Sequence, residues 1–209
     1  LENAHACDGI LAAVDRYPGE LEIIALGPLS NLALAFRKDP EAAKRCKTVY
    51  IMGGTGKVPG NVSPVAEANI WGDAEAAQAV FLSGASCVLV GLDAAGSDMF
   101  YTPDDLDALA ACGNAGRWFV DASHNMIEFL AAGGLRGLSQ PDPAAMGIAL
   151  WPDLELEGND AHCEVECRGH LTTGMVVEDT THNPKVNCHV VHRMDGSAFK
   201  QRVLGLLKE

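Results

Sequence analysis

Three polar side chains, Asn61, Glu67 and Asn69, fall within one glycine-rich stretch, GGTGKVPGNVSPVAEANIWGDAEAA (53–77). Two amides and a carboxylate supply hydrogen-bond donors and acceptors without a positive charge, which suits a neutral polar ligand. Taken singly, the two asparagines also suit turns, and Glu67 suits a solvated surface position. The glycines invite a phosphate-binding reading, and the spacing rejects it. A P-loop needs a glycine five positions before the Gly-Lys pair and a hydroxyl residue after it, whereas Ile51 and Val58 occupy those places. A dinucleotide fingerprint needs a helix starting directly on the glycines, but Pro59, Pro64 and a polar stretch intervene.

Other reactive residue types are weaker candidates. HCEVECRGH (162–170) brings two cysteines and two histidines together, but Cys163, Val165 and Cys167 alternate with Glu164 and Glu166 at the period of a half-buried strand, not at zinc-knuckle spacing. Ser30 has no histidine or aspartate spaced to make it a nucleophile. Asp93 ends an apolar run and reads equally well as a turn residue. His124, in DASHNMIEFL, is a lone histidine on a predicted helix, where a surface or packing role is the default. Asp142, in SQPDPAAMGIAL, reads as an N-cap before a helix.

The elements that must position these residues alternate. A helix to Tyr17, a strand LEIIAL (21–26), a helix from Ser30, a strand TVYIM (48–52), a helix after Asp73 and a strand CVLVGL (87–92) succeed one another. Such alternation predicts an open, mostly parallel, Rossmann-like α/β sheet flanked by helices. In that architecture ligands bind beyond the C-terminal ends of the strands, where the 53–77 loop lies. After Trp151 the shorter segments CEVECR, GMVVED and KVNCHVVHR predict antiparallel strands added at one edge, before a last helix from about Ser197 to Leu207.

Composition narrows the function classes. The chain has 209 residues, enough for one α/β domain (1–209), with a formal net charge of -13 and no basic stripe, which disfavours nucleic acid. No apolar run reaches membrane-spanning length. Seven cysteines, an odd number spread over helices and strands, suggest reduced thiols and a cytoplasmic location.

The 53–77 loop, together with ALGPLSNLALAFRKDP (25–40) and VGLDAA (90–95), resembles the inosine-uridine nucleoside hydrolases, calcium-dependent N-ribohydrolases, over nearly the whole chain. The resemblance implies hydrolysis of the N-glycosidic bond of a small-molecule ribonucleoside to ribose and free base, and a tendency to homo-oligomers. It implies that Asn61, Glu67 and Asn69 bind the ribose hydroxyls, and that Asp142 and the backbone carbonyl of Leu26 are calcium ligands. The family's aspartate-rich DxDxxxDD motif, which holds the calcium and supplies the general base, does not occur in these residues. The expectation is therefore the C-terminal two-thirds of a family member, inactive alone and binding calcium weakly or not at all. The family commonly reads His-Asp-Pro where this chain reads Pro141-Asp142-Pro143, so the group that would help the base depart is missing. The alternative is a non-catalytic nucleoside-binding, sugar-binding or interaction protein derived from that family.

Overall fold

The computed structural model describes residues 5–96, 99–181 and 185–208. Six strands form one sheet in the order β1-β2-β3-β6-β4-β5. β1 (Glu22–Ala25), β2 (Thr48–Met52), β3 (Cys87–Val90) and β6 (Cys188–Met194) run parallel, while β4 (Glu155–Val165) is antiparallel to β6 and to β5 (Val176–Asp179). This is the predicted mostly parallel sheet with its antiparallel addition. β1 ends at Ala25, one residue short of the predicted run, and β3 ends at Val90, two residues short. β4 is longer than CEVECR suggests, because the polar segment ELEGND pairs with β6 through irregular register between Glu155 and Gly158.

Alternation along the strands divides the core. Val49, Ile51, Cys87 and Leu89 face one layer, packing with helices α1 (Ala6–Arg16), α2 (Ser30–Lys38), α3 (Pro40–Arg45) and α5 (Ala74–Phe81). Tyr50, Met52, Val90 and Val191 face the other, with α6 (Pro103–Ala111), α9 (Pro141–Leu150) and α10 (Gly196–Leu206). Helices α7 (Asn114–Ala122) and α8 (His124–Ala132) follow α6, and α8 buries none of its residues.

α4 (Ala68–Gly72), a short helix between β2 and α5, lies inside the stretch that the sequence presents as loop. α9 packs against β1, β2 and β3. The helix begins at Pro141, with Gln140 as N-cap, so Asp142 sits in its first turn and is not the cap that the sequence suggested.

Candidate active site

Glu67 organises the site. Its side chain is 2% exposed, not the solvated charge that its residue type allowed. As N-cap of α4 it accepts the N–H groups of Asn69 (2.9 Å to each oxygen) and Ile70 (3.3 Å), and its Oε2 also accepts Gly54 N–H at 3.1 Å. One carboxylate thus joins the helix to the glycine loop leaving β2. Burial lifts the Glu67 carboxyl above the ordinary carboxylate range; the three N–H donors oppose that rise and the charge of Asp142 adds to it.

Asn69, in the first turn of α4, donates from Nδ2 to the Met52 carbonyl at 3.2 Å, which fastens α4 to the end of β2. Its Oδ1 keeps its acceptor capacity. Asn61 makes the complementary choice: its Oδ1 accepts the Ala68 N–H at 2.9 Å, leaving the NH2 as donor. Glu67 Oε1 accepts only Asn69 N–H among the described residues and has a lone pair to spare. The three residues therefore present a donor and two acceptors, a set that matches hydroxyls able to donate and accept at once.

Asp142 enters from α9. It is half-buried, and burial raises its carboxyl above the usual range. It lies in the first turn of α9, the helix that packs against β1, β2 and β3. Leu26 follows β1 directly, one residue beyond the Ala25–Ile51 pair and so level with Met52. Among the described residues no backbone N–H donates to its carbonyl. These are two oxygen sources, where calcium takes six to eight. Among the described residues no group of three or more His, Cys, Asp or Glu side chains could hold a metal. Among the described residues these two donors alone fall short of calcium's coordination number.

The remaining candidates take other roles. His124 is exposed and pairs with Glu128 at 3.3 Å along α8. Ser30 donates its hydroxyl to Asp73, the N-cap of α5. Cys163 and Val165 are buried in β4 while Glu164 is exposed, the strand pattern that argued against zinc. Pro141 occupies the first helical position of α9 and has no proton to give.

The family model for inosine-uridine preferring nucleoside hydrolase matches residues 1–201. The chain belongs to this family. Relatives in the nucleoside hydrolase family include uridine nucleosidase 1 of Arabidopsis thaliana, 40% identical over 68% of this chain and 42% of its own length. The non-specific ribonucleoside hydrolase RihC of Escherichia fergusonii is 32% identical over 93% of this chain and 63% of its own. Among solved structures, the plant nucleoside hydrolase PpNRh1 superposes with a TM-score of 0.87 at 33% identity, covering 99% of this chain and 66% of that one. A purine-preferring ribonucleoside hydrolase from Gardnerella vaginalis gives a TM-score of 0.88 at 28% identity, covering 99% and 67%. The chain thus spans roughly half to two-thirds of the nucleoside hydrolases it matches.

Proposed function

We propose that this chain supplies the ribose-binding part of a ribonucleoside hydrolase, a protein that cleaves the N-glycosidic bond to give ribose and free base. Family membership supports the reaction class. The observation that carries the reading for this chain is the divided hydrogen-bonding of Asn61, Glu67 and Asn69, each held to the backbone by one part of its side chain with another part left for a ligand. In this reading the Asn61 NH2, Glu67 Oε1 and Asn69 Oδ1 grip the ribose hydroxyls and orient the sugar for loss of the base. Charge develops on the sugar as an oxocarbenium-like transition state forms, and the nearby carboxylates of Glu67 and Asp142 favour it electrostatically.

The attacking water needs a base, a role that the resemblance gives to an aspartate-rich motif not found in these residues. We propose that the base and further metal-binding carboxylates lie outside these 209 residues, so that the isolated segment does not turn over. Two features support this. β1 forms one edge of the described sheet yet carries the half-buried apolar residues Ile23 and Ile24, and the relatives are longer than this chain. Base release from inosine and uridine, assayed with the full gene product, tests the reading. Turnover that collapses in Asn69→Ala and Glu67→Ala variants supports it, and a folded full-length product that releases no base from either nucleoside contradicts it.

Pro141 favours a second reading, a nucleoside- or sugar-binding protein without catalysis, because it removes the proton donor that the family commonly places beside Asp142. The same assay separates the two. Ligand binding without base release selects the second.

A further inference from the structure

Asp93 lies just past β3 and takes no part in the ribose contacts. Its carboxylate accepts three consecutive N–H groups of the glycine loop: Gly56 at 2.6 Å, Lys57 at 2.7 Å and Val58 at 3.2 Å. Residues 56–58 are exposed, so without this carboxylate their amides would face water. The same end of β3 grips the loop again one step earlier, where Leu92 N–H donates to the Gly54 carbonyl at 3.0 Å. The fit is close. A side chain on Gly91 would meet the Gly54 carbonyl oxygen at 2.8 Å, and one on Gly56 would meet Glu178 Oε1 at 3.1 Å. Glu178 is backed by His192, 3.5 Å away.

Beyond this clamp the chain passes through Pro59 into a turn closed on itself, where Gly60 N–H donates to Pro64 O and Val62 N–H to Ala66 O. Asn61 stands at its base and reaches Ala68. The turn therefore hangs between the Asp93 clamp, backed by the Thr55 hydroxyl that donates to the Val58 carbonyl, and the first residue of α4. Asn69 belongs to α4 and Glu67 caps it, and their other bonds go to Met52 and Gly54, not to the clamped residues 56–58.

We propose that Asp93 is a positioning residue for Asn61: by holding Gly56 to Val58 it sets the height at which Asn61 meets α4 and its ligand. Its importance for ribose rests on the function proposed above, but its action on Asn61 can be read without any ligand. The Ala68 amide, bonded to Asn61 and remote in sequence from the clamp, reports where Asn61 sits.

Amide hydrogen exchange followed by NMR on the 209-residue chain tests this in Asp93→Ala and Asp93→Asn, with thermal melts confirming that both variants remain folded. The expected result is exchange about tenfold faster or more at Gly56, Lys57 and Val58 and also at Ala68, with the amide of Trp71, further along α4, unchanged. Asp93→Asn, which keeps one acceptor oxygen, should fall between wild type and alanine. Faster exchange at 56–58 with Ala68 unmoved would overturn the proposal and reduce Asp93 to a local turn cap; unchanged exchange at 56–58 would remove the clamp itself. If Asp93→Ala does not fold, the asparagine variant decides on the same amides. Adding ribose separates the layers: an Asn61 side-chain amide response in wild type, weakened in Asp93→Ala while that of Asn69 persists, supports both readings. A wild type that ignores ribose counts against the proposed function, and exchange at Ala68 then decides the role of Asp93 by itself.

Discussion

Glu67 and Asp142 stand at the starts of two different helices, α4 and α9, yet the charge on one is felt by the other. Seventy-five positions of sequence separate them, and the parallel sheet brings them to one edge because α4 follows the end of β2 and α9 packs across β1, β2 and β3. Two carboxylates in one partly buried place are costly unless something offsets them. For Glu67 three backbone N–H groups do so; Asp142 shows only the effect of burial.

That difference makes Glu67 a structural residue as well as a candidate ligand. Glu67→Ala removes a helix cap and strands the buried Gly54 N–H, and should cost about 2–3 kcal/mol of stability. Glu67→Gln keeps one acceptor and should cost about half as much. Urea unfolding at pH 7 reads both, and a loss in Glu67→Ala below about 0.5 kcal/mol would show that the cap contributes little.

Asp73 joins two helices by accepting both the Ala76 N–H at 3.0 Å and the Ser30 hydroxyl. Asp73→Ala should cost about 1–2 kcal/mol, and Ser30→Ala about 1 kcal/mol. Because they share one hydrogen bond, the double variant should lose less than the sum by roughly 0.5–1 kcal/mol. Strict additivity in the double-mutant cycle would mean that the bond does not couple α2 to α5.

His189 supplies a pH signature. Burial works against its charged form, but hydrogen bonds to Asp160 (2.7 Å) and Glu155 (2.8 Å) outweigh that and raise its pKa. A histidine whose folded pKa is raised contributes stability that is complete below its unfolded value, about 6.5, and is lost as pH rises through the higher folded value. The melting temperature of wild type minus that of His189→Gln should therefore shrink from about pH 6 towards about pH 8. His162 is also shifted upward, by its bond to the Lys185 carbonyl and by Glu164, so the difference between the two proteins is the informative quantity. A difference independent of pH would show that the imidazolium gains nothing from its two carboxylates.

Calcium should matter little to the isolated chain. With one half-buried carboxylate and one carbonyl in prospect, titration calorimetry should find no affinity tighter than millimolar, and EDTA should leave the melting temperature unchanged. Micromolar binding would mean that the chain offers more oxygen donors than Asp142 and Leu26.

Much of the fold is legible in the sequence. TVYIM is a β-branched run between turn signals and forms β2; Asp73 is a preferred capping residue and caps α5. α4 is hidden for a physical reason. Five residues are too few to show a helical period, and its cap is a glutamate, outside the usual Ser, Thr, Asp and Asn set. The same blind spot makes Glu67 look solvated. α3 is shorter than two turns, and its signal, Asp39 followed by Pro40, merges with the end of α2. Asn61, Glu67, Asn69 and Asp142 can be proposed as site residues from residue types and family resemblance, but the grip of Asp93 on amides 35–37 positions away cannot be read, since no local pattern encodes it.

The most direct test of the ribose-binding account is an NMR titration of the 15N-labelled chain with D-ribose, following the side-chain amides of Asn61 and Asn69. The account predicts that both move together and saturate at millimolar ribose, and that 2-deoxyribose moves them less. Amides that stay still while ribose shifts another face of the protein, or that respond equally to the deoxy sugar, would contradict it.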